Sequence, residues 1–388
     1  MMLVMPDSYR NKFDIPRDIC YLNAAYMTPQ PRRVLQAAVE GAKRRARAWQ
    51  IAPTDFFGEV EMLRSAFANQ VSCSPNNIAI VPSAGYGVAV AVNNLTIDAG
   101  KVILVLEDQF PSNYYSWQRM ANDVGAGLKV VSKQDGQSWA ASILECVEQM
   151  GERIGIAALE GHHWSTGESI DLDAVLPALR DQGSKIVLDL TQSIGAYPID
   201  MESLAPDFMV AAAYKWQFCP YGTSFLYVAD RHFDGVPIEE AWLSRDGAED
   251  FSQLASYTDQ YQPGARRFDA GERSSFSNIA GAVAALGMID EWGVENISRE
   301  LGNTNLKIAD ILEKHGFETA DASARAPHFQ SARIANIDTR ELASRLLADN
   351  VFVSQRGDRL RIAPHLYTDH EDLERFEDSL QRAMLQPN

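Results

Sequence analysis

Between about residues 30 and 230 the chain alternates short apolar runs with segments of helical period. Residues 31–49 place Val34, Leu35, Ala38, Val39 and Ala42 at the spacing of an amphipathic helix. Residues 77–81, 101–106, 128–131, 154–159 and 185–190 are apolar runs of strand length, with helical patterns between them. Near-continuous apolar strands separated by helices predict a mostly parallel sheet covered on both faces. In such sheets ligands gather at the carboxyl ends of the strands.

The pattern changes after about residue 230. Residues 245–278 are polar and weakly periodic, which predicts a long functional loop region. Apolar helices are then expected over 279–292 and 294–315. A strand at 333–336, a helix at 339–349, strands at 351–354 and 360–363 and a charged helix from 369 follow. The acidic stretch 369–378 reads as a solvated helix face. The resulting picture is an α/β chain with a large domain over 30–275 and a smaller α+β domain built from 1–29 and 276–388.

Composition narrows the partners. The 388 residues are 46% hydrophobic, ample for a buried core, and exceed one ordinary domain. A formal net charge of −17 argues against nucleic acid and anionic membrane as partners. Cys20, Cys73, Cys146 and Cys219 are scattered without metal-like spacing, the pattern of reduced thiols in a cytoplasmic protein. The first residues, MMLVMPDSYRNKF, lack the basic and apolar regions of a secretion signal, and no stretch is apolar enough to span a bilayer.

Two residues carry the chemistry. Asp189 ends the apolar run KIVLD, and Lys215 follows the small-residue stretch Ala211–Tyr214. A carboxylate at a buried strand end is expensive unless paired; the plainer reading of Asp189, with Thr191 and Ser193 nearby, is a helix cap. A lysine among residues that suggest burial has its ammonium form disfavoured and becomes a nucleophilic amine; the plainer reading is a lysine at the edge of a strand. Together they are what pyridoxal phosphate needs: an amine for a Schiff base with the aldehyde, and an acid that keeps the pyridine nitrogen protonated.

Other candidates fit around that pair. Ser83, Ala84, Gly85, Tyr86 and Gly87 link a strand to a helix, where backbone N–H groups can approach a phosphate. Phe110 could stack on a pyridine ring, although most phenylalanines are core residues. Arg361 presents a guanidinium fork suited to a substrate carboxylate, whereas Arg356 and Arg359 read as surface residues. His162 and His163 are adjacent and face opposite ways in a strand, which argues against a shared metal; His163 or Trp164 is expected to wall the site.

These segments resemble the class V aminotransferase group of fold type I pyridoxal phosphate enzymes, which includes cysteine desulfurases, kynureninases and isopenicillin N epimerase. The resemblance runs from YLNAAYMTPQP at residues 21–31 to the Arg361 segment. It implies that Lys215 forms the Schiff base, that Asp189 partners the pyridinium and that Gln192 contacts the ring oxygen. It implies that Ala84, Gly85 and Tyr214 hold the phosphate, that Phe110 stacks, and that Arg361 and Asn23 bind substrate. FPSN and RIAPHLY look like kynureninase segments, whereas DLTQS looks like a desulfurase. The family forms homodimers in which a loop of the neighbouring subunit reaches the phosphate; residues 271–275 match that loop, with Ser274 or a neighbour as the donor.

No cysteine follows Cys219, so a desulfurase's loop nucleophile is missing. The sequence therefore points to a pyridoxal-phosphate enzyme with a small-molecule amino acid substrate, an aminotransferase first. A lyase of the C–S or kynureninase-like kind, or an epimerase, is the alternative. A non-catalytic scaffold would have no need of Lys215 and Asp189.

Overall fold

The computed structural model describes residues 9–134 and 136–385. Most of the N-terminal stretch MMLVMPDSYRNKF, expected to lack a secretion signal, thus lies outside the described residues.

The chain opens with a short strand β1 (Cys20–Tyr21), then helices α1 (Arg32–Arg44) and α2 (Gly58–Gln70). The alternating part comprises β2 (Ile78–Val81), α3 (Ala84–Asn94), β3 (Val102–Leu106), α4 (Ser112–Val124), β4 (Gly127–Val131), α5 (Trp139–Met150), β5 (Ile154–Glu160), α6 (Leu172–Asp181), β6 (Lys185–Asp189), α7 (Met201–Leu204), β7 (Phe208–Ala212) and β8 (Ser224–Val228). These strands form one seven-stranded sheet in the order β2-β8-β7-β6-β5-β3-β4. All pairs are parallel except those made by β8, which is antiparallel to both β7 and β2. The architecture is the α/β arrangement that the apolar runs predict.

Burial on both faces explains those runs. Leu104, Leu159 and Leu188 face one side, packed with Leu63 and Phe67 of α2 and Leu176 of α6. Ile103, Val105, Ala158 and Val187 face the other, packed with Val88 of α3 and Trp117 of α4. Helix α3 comes especially close to the sheet at Gly87, where an added Cβ would meet Val210 Cγ1 at 2.5 Å. That approach sets the start of α3 directly above the strand ends.

Beyond β8 the chain makes only short 3₁₀ turns until α8 (Phe276–Trp292), as the polar composition of 245–278 suggests. A buried ion network fastens this segment to the sheet. Asp269 accepts from Arg64 Nη1 and Nη2, at 3.1 and 2.8 Å, and from the Ile80 backbone, and pairs with Arg273 at 2.8 Å. Helix α9 (Val294–Lys314) leads to β9 (Glu318–Thr319), β10 (Gln330–Arg333), α10 (Thr339–Ala348), β11 (Val351–Phe352), β12 (Ser354–Arg356), β13 (Arg359–Ile362) and α11 (His370–Leu385). Strands β12-β13-β10-β9 form an antiparallel sheet, and β11 pairs with β1. Cys20 and Leu22 join Ile308, Leu342, Leu360 and Phe376 in the core beside it.

Several local expectations are corrected. The strand expected at 333–336 lies at 330–333, because its polar residues are satisfied internally: Gln330 donates to Asn305, and Ser331 Oγ to the Thr166 carbonyl. The strand expected over 351–354 breaks at Val353 into β11 and β12, which serve different sheets. Helix α1 ends at Arg44, and the 3₁₀ segment that follows is kinked at Arg47, with φ −128°. The acidic stretch on α11 is not purely a solvated face: Asp372 is buried and pairs with Arg10 at 2.5 Å.

Candidate active site

Lys215 lies in the loop that reverses the chain between β7 and β8. Trp216 anchors that loop from behind. Its buried ring packs edge-on to His328 and its Nε1 donates to Gln192 Oε1 at 2.8 Å. Phe218 holds a left-handed φ of 59°, tightening the reversal. With Trp216 locked on one side, Lys215 points into a cavity of about 210 Å³ at the carboxyl ends of the strands. Ala84, Gly85, Phe110, Glu160, Trp164, Asp189, Thr191, Gln192 and Tyr214 line the same cavity.

Each wall has a local cause. Ser83 caps α3, accepting from the Tyr86 N–H at 3.1 Å, so the first turn of the helix opens onto the cavity. A Cβ at Gly85 would meet only ordinary contacts, the nearest Ser112 and Ser83 at 3.8 Å, so packing within the chain does not call for glycine. The missing side chain instead leaves room beside N–H groups at a helix start, which suits an anionic group. Asp189 ends β6 and accepts from the Thr191 N–H at 3.0 Å. Gln192 donates to the Ala25 carbonyl at 3.1 Å, which leaves the second hydrogen of its amide for a ligand. Phe110 stands with its ring centroid 5.4 Å from Lys215 Nζ, and Tyr214 with its own at 5.9 Å.

Electrostatics favour a reactive amine. Burial, and then the Arg361 charge, bring the Lys215 ammonium down to about 8. Burial raises the Asp189 carboxyl, opposed by its bonds from Thr191. A buried acid beside a buried base, with an open position between helix start and strand end, fits a flat ring bearing a phosphate, an aldehyde and a basic nitrogen.

Sequence reasoning missed Glu160. It ends β5, is buried, and is the register partner of Asp189 across β5 and β6. Its Oε1 accepts from the Phe110 N–H at 3.1 Å and its Oε2 from the Trp164 N–H at 3.0 Å. One carboxyl thus ties together the two loops that carry the aromatic walls, whose rings meet edge to face at 5.4 Å. Burial, and then Asp189, push it up to about 8. The signal was in the chain: IGIAALE ends on an acid as KIVLD does.

The remaining candidates sit elsewhere. Arg361 is not a lining residue; it is buried behind Trp164, donating to the Trp164 carbonyl at 2.8 Å and to Ser354 Oγ at 3.2 Å, with Nη2 unpartnered. Asn23 forms an isolated bridge with Ala363 and keeps a buried, unpartnered Oδ1. Ser274 donates to the Phe56 carbonyl at 2.8 Å, and Arg273 is committed to Asp269, so within 271–275 the exposed residues are Glu272 and Ser275. Trp164 forms a wall, but His163 does not: it stacks on Trp139 at 4.8 Å, while His162 turns to Ser193. None of the four cysteines lines the cavity, and each is free. Arg356, expected on the surface, is half-buried over the Trp164 ring.

A lysine, an acid and a helix start meeting at a parallel sheet's carboxyl edge define a site of the pyridoxal-phosphate class. The aminotransferase class-V family profile matches residues 20–376, and the chain belongs to that family, whose members use pyridoxal phosphate and act on amino acids. Its relatives include an uncharacterized aminotransferase, YcbU, of Bacillus subtilis (strain 168), 24% identical over 325 residues and covering 83% of each chain. A kynureninase of Deinococcus radiodurans is 26% identical over 345 residues, covering 83% of this chain and 81% of its own. Among solved structures, a mutant of C-DES with glycine covalently linked to its PLP cofactor superposes with a TM-score of 0.87. That match has 20% identity and covers 97% of this chain and 99% of that one.

Proposed function

We propose that this protein is an aminotransferase in which Lys215 is the amine that bonds to pyridoxal phosphate and later moves the substrate's α-proton. The observation that carries this reading is the placement of Lys215 and Asp189 in one small buried cavity at the start of α3. When bound there, the cofactor supplies an aldehyde for amines and a ring that accepts the electron pair left at the α-carbon.

The chain's own groups have separate tasks. Asp189 would hold the ring nitrogen in its protonated form. Ala84 and Gly85, at the start of α3, with Tyr214, would hold the phosphate; Gln192 would donate its free amide hydrogen to the ring oxygen. Phe110 would cover one ring face. Lys215, with its ammonium form disfavoured by burial, presents a neutral amine at mildly alkaline pH. Arg361 would bind the α-carboxylate through the unpartnered Nη2, and Asn23 would line the substrate approach through its unpartnered Oδ1.

A homodimer belongs to this proposal. The 271–275 loop is tied into its own subunit, leaving Ser275 and Glu272 outward, and Tyr26, Leu35, Trp49 and Tyr221 are exposed large hydrophobics. Under this reading Ser274 or its neighbour Ser275 meets the partner's phosphate only after local adjustment. Among the described residues no helix is long and apolar enough to cross a membrane. With four free cysteines, the compartment we propose is the cytoplasm. The division into a cofactor-binding body over 30–275 and a smaller body of 1–29 and 276–388 is supported by the separate core beside the small sheet.

Amino acids tested one by one with a 2-keto acid check the reaction. Product amino acid that appears only when the keto acid is present supports transamination. Ammonia or pyruvate released without it supports a lyase, and racemised substrate an epimerase.

A further inference from the structure

Four arginines are buried among the described residues: Arg10, Arg64, Arg273 and Arg361. Arg10 pairs with Asp372, and Arg64 and Arg273 with Asp269. Among the described residues Arg361 alone of the four has no carboxylate within ion-pair distance, and its Nη2 has no partner. Arg356 repeats the pattern next door. It is half-buried, its Nη1 donates to the neighbouring Gln355 carbonyl at 2.7 Å, and among the described residues its Nε has no partner and no carboxylate pairs with it. A buried guanidinium without a counterion is costly, so Arg361 calls for an anion from outside the chain, and the half-buried Arg356 beside it adds a second unmet charge.

The strands put both on one face. Ser354 lies opposite Arg361 and Arg356 opposite Arg359 in the β12–β13 ladder, and residues two apart on a strand share a face. Both guanidiniums sit over the same indole, Arg356 at 5.6 Å and Arg361 at 5.9 Å from the Trp164 ring centroid. Stacking on an aromatic face directs the N–H groups outward around the ring's edge, and the buried ones still unpartnered there are Arg361 Nη2 and Arg356 Nε. Trp164 is itself a wall of the Lys215 cavity. A single α-carboxylate would balance one of these charges and leave the other unmet.

We propose that Arg356 and Arg361 form a paired anion receptor, and that the substrate is an α-amino acid whose side chain carries an acidic group of its own. This rests on the reading of Lys215 as the amine that receives the substrate, because that reading places the α-carbon beside Trp164. Arg361 takes the α-carboxylate, and Arg356 takes the side-chain anion.

Non-reactive ligands separate this inference from the function. Calorimetric titration of the pyridoxal-phosphate-loaded protein compares glutarate and succinate with butyrate, none of which has an amine. At least one dicarboxylate binds tighter than butyrate by about tenfold or more, the scale of a charge-assisted fork. R356Q brings the dicarboxylates down to the butyrate level, and R356K keeps part of the margin. In a second arm, glutamate, aspartate and phosphoserine bleach the bound cofactor's colour at lower concentration than glutamine and asparagine do, and the most effective of the three identifies the side-chain anion. Equal binding of butyrate and both dicarboxylates by the native protein, or an unchanged margin in R356Q, overturns the inference. Should the protein fail to take up coloured cofactor, the function reading falls, while the same titration of the cofactor-free protein still reports on Arg356.

Discussion

Glu160 and Asp189 are register partners at the carboxyl ends of neighbouring parallel strands, both buried and both facing the cavity that holds Lys215. Two acids so placed titrate differently from exposed ones. Glu160 holds its proton up to about 8 in the folded protein, raised chiefly by burial and then by Asp189, against about 4.3 in an unfolded chain. Between those values the folded state binds a proton that the unfolded state has lost, so this residue makes stability fall as pH rises. In E160Q that part of the fall disappears. Urea unfolding of the cofactor-free protein at pH 5 and pH 8 checks it: a stability difference between the two pH values as large as the native protein's would contradict the assignment.

The same substitution removes an acceptor. A glutamine amide nitrogen cannot accept from the Phe110 or Trp164 N–H, so one of these donors loses its partner. Leaving a buried donor unsatisfied costs about 1–3 kcal/mol. At pH 5, where the charge effect is small, E160Q therefore unfolds at lower urea than the native protein, and it holds pyridoxal phosphate less tightly because the aromatic walls loosen. Equilibrium dialysis of the cofactor measures the second effect.

Only the neutral amine of Lys215 reacts with an aldehyde. The lysine is brought down to about 8 by burial first and by Arg361 second. The rate of cofactor uptake is expected to climb with pH and level off above about 8 rather than near 10.4, the value of a free lysine. Removing the Arg361 charge relieves part of the depression, so R361Q moves the midpoint to higher pH. Stopped-flow absorbance over pH 6–11 reads both.

Asp189 would act on the ring rather than on the lysine. D189N keeps the size of the side chain but loses the charge that steadies a protonated ring nitrogen. The protein still takes up coloured cofactor, while turnover falls by about 10²–10³-fold, as for loss of one preorganised electrostatic group. Steady-state kinetics beside an absorbance spectrum separates the two quantities.

Away from the cavity, Arg64 is the keystone of the ion network on Asp269. R64A leaves Asp269 buried with Arg273 as its one counter-charge among the described residues. A broken buried pair costs about 3–5 kcal/mol, so R64A unfolds at markedly lower urea than the native protein. Because Asp269 also accepts from the Ile80 backbone, the loss is expected to loosen the edge strand β2 and to show as faster hydrogen exchange there.

Much of this fold is legible in the sequence because buried parallel strands write themselves as apolar runs. Lys215 and Asp189 stand out because each is a charged residue set against such a run. Glu160 obeys the same rule, but its partners are backbone N–H groups, which no sequence pattern displays. Strand β10 is hidden for the opposite reason: Gln330 and Ser331 look solvent-bound, yet both are buried with their side-chain donors satisfied by Asn305 and Thr166. Strand β8 lacks the alternation with a helix that marks the other strands, since it returns directly from β7 through the lysine loop. Arg356 reads as a surface residue until β12 and β13 are paired and set over Trp164.

The measurement closest to the central claim is reduction of the pyridoxal-phosphate-loaded protein with borohydride, followed by peptide mass mapping. The account predicts one cofactor per chain fixed to Lys215, visible colour lost on reduction, and neither colour nor label in K215A. Label spread over surface lysines, or full colour retained in K215A, would contradict it.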